Sequence, residues 1–168
     1  MDPLLERLQQ EVTTAHTAMT AQQLSWHPPG KWSAAEILEH LYLTYTGTTK
    51  GFSRVLEAGS AKVTPPTWKQ RAGKVLVLSF SYFPTGREAP AMSRPRGLPL
   101  EKVLAEMTQK IREMDEMISV CEQKLGRGEL LDHLILGPLT ASQWRKFHFV
   151  HGLHHVKQIQ RLKNRPSS

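Results

Sequence analysis

The sequence predicts an all-α fold, a four-helix bundle with a long crossover between its second and third helices. Three observations carry that prediction. Four long stretches place apolar residues at helical spacing. Capping residues precede the second and fourth of them, at Ser33 and Thr140. The turn-forming residues fall between the stretches rather than inside them, apart from a few glycines.

The first helix is expected over Pro3 to Gln23, with Leu4, Leu5, Leu8 and Val12 on one face. Trp26-His27-Pro28-Pro29-Gly30 breaks it, because a residue before proline avoids the helical region. Ser33 with Glu36 three residues on forms a capping box, and opens a second helix from about Ala34 to Glu57. Gly47 and Gly51 lie inside that helix, where each costs about 1 kcal/mol relative to alanine. Their presence fits a close approach, either by a neighbouring helix or by a bound ligand.

Residues 59–98 form the crossover, too long a stretch to be bare loop in a compact domain. A short helix between Thr67 and Ser79, packed down by Trp68, is expected there. A strand at Val75 to Phe80 is the alternative, without an obvious partner, and Pro84-Thr85-Gly86 reads as a turn. Leu100 to Leu125 is the third helix, with Val103, Leu104, Met107, Ile111, Met114, Met117, Ile118 and Cys121 on its inner stripe. Gly126 and Gly128 end it. Residues 131–138 read as a connector, and Thr140 caps a fourth helix beginning near Ala141.

With 168 residues, 39% hydrophobic and 22% charged, the chain suits one globular domain, residues 1–168. Cys121 is the sole cysteine, which excludes an intramolecular disulfide and fits a reducing compartment; its place in an apolar stripe makes it a structural thiol. No stretch is apolar enough for a transmembrane helix and the start lacks a signal-peptide pattern. The cytoplasm is therefore expected, with no membrane partner.

Net charge is +7, and residues 60–98 hold seven bases (Lys62, Lys69, Arg71, Lys74, Arg87, Arg94, Arg96) against Glu88. Lys157, Arg161, Lys163 and Arg165 add to it near the C-terminus. Such an excess can draw in an anionic small molecule. Without interleaved aromatics or a recognition helix, nucleic acid is not the expected partner.

Function concentrates in the fourth helix, Trp144 to Leu162, which holds four of the eight histidines: His148, His151, His154 and His155. His151 and His155, at i and i+4, stand about 40° apart around the helix axis. Two imidazoles so placed can take adjacent positions on one transition metal such as Zn, Ni, Fe or Cu. Filling a polar core or capping carbonyls is the competing role. The third ligand must come from elsewhere, and His40 on the second helix is the candidate. The face around His40 carries Glu36, Ile37, Thr44, Gly47, Thr48 and Gly51. On the far side of the fourth helix, Phe149, Leu153 and Val156 form a second apolar strip, suited to another helix or another subunit.

Two motifs together resemble one family. PGKWSAAEILEHL, Pro29 to Leu41, and HLILGPLTASQWRKFHFVHGLHHVKQ, His133 to Gln158, look like the DinB-like superfamily of damage-inducible and thiol-transferase proteins. The match covers both ends of the chain and little of residues 59–98. The resemblance implies a four-helix bundle, often dimeric, with a divalent transition metal held by His40, His151 and His155. It leaves His154 in an outer layer or in packing, and His148 in an outer layer or at the substrate. His133 and Trp32 are then structural. Glu36 is the one carboxylate expected near the metal, although its capping role competes, and Thr44, Gly47 and Gly51 are expected to leave room above it. Two functions follow as expectations. One is a metal-dependent S-transferase, or a hydrolase, acting on a small-molecule substrate with a low-molecular-weight thiol. The other is a non-catalytic, metal-stabilised binding or stress-response module. A homodimer is expected in either case.

Overall fold

The structure, a computed structural model, describes residues 1–82 and 88–164. The turn expected at Pro84-Thr85-Gly86, together with Arg87 and Arg165 of the basic excess, lies outside the described residues. The described chain is mostly helical: α1 (Pro3–Thr17), α2 (Ala21–Ser25), α3 (Ala34–Ala58), α4 (Trp68–Leu78), α5 (Leu100–Leu125) and α6 (Ala141–Lys163). Between α5 and α6 lie two antiparallel strands, β1 (Glu129–His133) and β2 (Gly137–Thr140), and a single 3-10 turn covers Ala91–Ser93.

The first helix is shorter than its periodicity suggests. α1 ends at Thr17, and Thr20 starts α2 with a capping box closed by Gln23. That box is as local as the one at Ser33, and it competes with continuation of the helix. The starts at Ser33, boxed with Glu36, and at Thr140 match expectation, and the structure adds capping boxes of Thr67 with Gln70 and of Thr140 with Gln143.

Leu5, Leu8, Val12 and Ala15 of α1 pack along α6, while α3 lies along α5. α5 contributes Val103, Met107, Ile111, Met114, Ile118 and Cys121 to the core, with Leu104 and Met117 at its margin. The Cys121 thiol reaches the Phe52 carbonyl at 3.4 Å inside that core, and burial pushes its pKa up. It is a packed structural thiol.

Strip Phe149–Leu153–Val156 is closed within the chain. Phe149 and Val156 are buried, the Arg7 guanidinium of α1 lies 5.5 Å above the Phe149 ring, and only Leu153 is half-exposed. The close fit of α1 on α6 depends on Gly152: a Cβ there would stand 2.2 Å from Leu8 Cδ1. Of the two α3 glycines, Gly51 faces Leu131 of β1, whose Cδ2 would sit 2.9 Å from an added Cβ. Gly47 is exposed, with nothing within 4 Å of an added Cβ, so no close approach by a neighbouring helix requires a glycine there.

The expected connector after α5 is the β1–β2 hairpin. His133 closes its turn: Nδ1 accepts from the backbone N–H of Ile135 and of Leu136, each at 3.1 Å. Gly137 follows with φ of +71°, a conformation that favours glycine.

The crossover contains the helix expected between Thr67 and Ser79 rather than a strand, but it packs the other way round. Trp68 is 74% exposed, and it is Val77 that faces the core. Lys74 fixes α4 to the hairpin by donating to the Pro138 carbonyl at 2.6 Å and to Glu129 at 3.2 Å. Tryptophan has the larger apolar surface, but Val77 lies about 180° from it around the helix, and one face must turn outward.

A buried polar network fixes the other end of the molecule. Arg145 of α6 donates to Asp115 at 2.8 Å, Ser119 at 2.8 Å and Glu122 at 3.1 Å, while Asp115 also accepts the Asp2 backbone N–H at 2.7 Å. α1, α5 and α6 are thereby tied in one register.

Candidate metal centre

His40, His151 and His155 converge. All three are buried, and one ring nitrogen from each lies within 4.8 Å of the others. His151 Nε2 is 3.3 Å from His40 Nε2 and 3.1 Å from His155 Nε2. Two nitrogens bound tetrahedrally to one zinc, at roughly 2.05 Å each, would be about 3.3 Å apart.

The second nitrogens explain why the first ones are lone pairs. A carbonyl oxygen only accepts, so His40 Nδ1 carries its proton and donates it to the Ser93 carbonyl at 2.7 Å. His155 Nδ1 likewise donates to Gln158 Oε1 at 2.8 Å. The Gln158 amide is oriented in turn, because its NH2 donates to His154 Nε2 at 3.1 Å. His40 and His155 therefore both present unprotonated Nε2 atoms to His151 Nε2. A single proton on His151 could satisfy one of them, whereas one cation satisfies all three. Ligating histidines generally hold their other N–H on an acceptor in this manner.

Burial keeps the imidazoles neutral, the form in which they ligate. Desolvation lowers the pKa of His40 and, with the neighbouring His40, pushes His155 down to about 3. His151 falls well below its usual value, first by burial and then by His155 and His40. Phe147 stacks on His151 at 5.3 Å between centroids, and Trp32 lies 5.2 Å from His40 on the other flank.

Other residues singled out in the sequence take different places. Glu36 accepts the Ser33 backbone N–H at 2.8 Å, which is its capping role. Thr44 donates its hydroxyl to the His40 carbonyl at 2.8 Å, along the helix rather than across it. His148 is fully buried between Tyr45, Trp144 and Phe147, one helix turn behind His151. His154 belongs to the outer layer through Gln158. Ser93 and Glu39 were not foreseen. Glu39, buried at 4% exposure, accepts the backbone N–H groups of Arg96 at 2.7 Å and Gly97 at 3.1 Å. It holds the crossover against α3 just where the Ser93 carbonyl meets His40. A glutamate within an apolar helix face, beside a histidine, was the only sequence signal for it.

A separate cleft of about 600 Å3, lined by Ser119, Glu122, Gln123, Arg127, Thr140 and Ser142, includes none of the three histidines. The chemistry-bearing cluster is the buried one.

Fold and site define a mostly helical protein built around three convergent, buried histidines. Residues 5–162 match the family described as protein of unknown function (DUF1569), and the chain belongs to that family. No curated protein and no solved structure matches it.

Proposed function

We propose that the chain is a metal-dependent enzyme of the DinB-like type, a four-helix bundle of α1, α3, α5 and α6 that transfers a low-molecular-weight thiol to a small electrophile. One observation carries the reading: three buried imidazoles bring their Nε2 atoms together, and two of them present lone pairs there because their Nδ1–H is already committed. His40, His151 and His155 would hold a divalent transition metal (Zn, Ni or Fe) and, being three, leave positions for a substrate atom. When bound, such an ion lowers the pKa of a coordinated thiol or water, so that a nucleophile exists near neutral pH.

The chain's own contribution is orientation and dryness. The Ser93 carbonyl and Gln158 fix the tautomers of two ligands, and Trp32 and Phe147 flank the cluster with apolar surface. The family resemblance is what favours a thiol over water as the activated group. A homodimer belongs to the same reading, but it would have to use a surface other than the Phe149–Val156 strip.

A second reading has its own support. The three histidines are only 4–8% exposed, which suits a metal that braces helices in a non-catalytic module. Metal content is measured on protein purified without a nickel column. Metal-loaded protein is then given bacillithiol, mycothiol, glutathione or coenzyme A together with chlorodinitrobenzene. Conjugation above the uncatalysed rate, lost in His155→Ala, is the expected result. Metal binding without turnover of any thiol gives the module the lead.

A further inference from the structure

We propose that the outward face of α4, with the two aromatic residues that follow it, docks on the interface of a lipid bilayer carrying anionic headgroups. Trp68 is 74% exposed, Val75 53% and Leu76 39%. At about 100° per residue these three, with Ala72, fall within one arc of roughly 100° on the helix. Beyond the end of α4, Phe80 is 73% and Tyr82 56% exposed. Five large apolar side chains turned outward within fifteen residues, 68 to 82, exceed the scattered exposure normal on a surface.

Charge selects the occupant. Lys69 and Arg71 are exposed and flank the apolar arc on either side, with Lys62 just upstream. Glu88, the sole acid between residues 60 and 98, is already paired with Arg94. Among the described residues, Lys62, Lys69 and Arg71 form no ion pair with a carboxylate, on a chain of net charge +7. A second copy joined symmetrically through this face would set Lys69 and Arg71 against their own equivalents, which is repulsive. Aromatic side chains bordered by lysine and arginine instead match the acyl–headgroup boundary of an anionic leaflet, where rings sit at the interface and cations meet phosphate.

α4 would lie on the membrane rather than cross it; among the described residues, no helix is long and apolar enough to span one. The opposite side of α4 is already anchored, through Val77 in the core and Lys74 on the Pro138 carbonyl. Docking therefore needs no unfolding. The inference is independent of the metal chemistry.

The test is co-sedimentation of the full chain with phosphatidylcholine vesicles, with and without phosphatidylserine, at low and physiological salt. Binding should require phosphatidylserine and weaken with salt. Replacing both Lys69 and Arg71 by glutamine should cost roughly thirtyfold in affinity, from about 1 kcal/mol per cation at the surface. Trp68→Ser with Phe80→Ser should lower affinity by at least about tenfold, from the apolar area withdrawn. These residues are exposed, so unchanged far-UV circular dichroism and melting temperature verify the variants. Binding that ignores phosphatidylserine, or no binding to either vesicle, overturns the proposal. So does a dimer that Trp68→Ser dissociates in a protein that leaves vesicles alone, which would assign the face to a second copy.

Discussion

His40 and Ser93 are 53 residues apart in sequence and joined by one buried hydrogen bond of 2.7 Å, from the imidazole Nδ1 to the carbonyl oxygen. That bond makes the crossover part of the histidine cluster, because the backbone of one sets the tautomer of the other. Glu39, the residue preceding His40, holds the same segment through Arg96 and Gly97.

Releasing that clamp should affect both stability and metal binding. Glu39→Ala leaves two backbone donors without their carboxylate, and hydrogen bonds to charged groups contribute about 2 kcal/mol. Urea unfolding should report a loss of that order, and metal affinity should fall with it because Ser93 is no longer held. Unchanged stability would show that the Arg96–Gly97 backbone finds other partners.

Metal affinity should divide the histidines sharply. His40→Ala, His151→Ala and His155→Ala each remove a proposed ligand and should abolish binding in a competition assay with a chromogenic chelator. Gln158→Ala, which frees the His155 ring, should cost about 10–100-fold. His154→Ala acts one layer further out and should cost much less. Equal losses from His154→Ala and His155→Ala would mean that the wrong face of α6 has been taken for the site.

Gly152 should be intolerant of a methyl group. A Cβ there meets Leu8 Cδ1 at 2.2 Å in a fully buried contact. Overpacking of this kind costs about 1–3 kcal/mol. Gly152→Ala should lower the melting temperature, and Leu8→Ala should cost less in that background than in the parent, since it removes the clashing atom. Additive losses would place the strain elsewhere.

Stability of the metal-free protein should fall as the pH drops below about 6.5, the usual histidine value. Burial, with the nearby His133 adding, pushes His148 down to about 3, and burial takes His133 to about 4. Both shifts are downward, so in this range the unfolded chain takes up protons that the folded chain refuses. The stabilisation is complete above pH 6.5 and is lost progressively towards pH 4, by up to about 1.4 kcal/mol per pH unit for each histidine. Urea titrations at pH 7.5, 6 and 5 in the presence of a chelator should show the decline, and His148→Leu should make it shallower. An identical slope in that variant would remove His148 from the account.

What the sequence determined by itself is local. The helix starts at Ser33 and Thr140 were legible because a cap, and at Ser33 a capping box closed by Glu36, lies within four residues, whereas the boxes at Thr67 and Thr140 emerged only in the structure. The core stripe of α5 followed from its periodicity, and the pairing of His151 with His155 is a property of any helix that holds them four residues apart.

Tertiary structure decided everything that depends on which face meets which neighbour. Only packing brings His40 Nε2 to 3.3 Å from His151, and only the path of the crossover supplies Ser93 as its acceptor. Trp68 shows the limit most clearly: hydrophobicity alone sends it inward, yet α4 can bury one side, and the Lys74–Pro138 bond and Val77 hold that side down. The Phe149–Val156 strip suited another helix or another subunit equally well in the sequence, and it is α1, ending at Thr17, that covers it. A helix periodicity specifies a face, but the partner for that face is chosen by contacts between residues far apart in sequence, which no local pattern encodes.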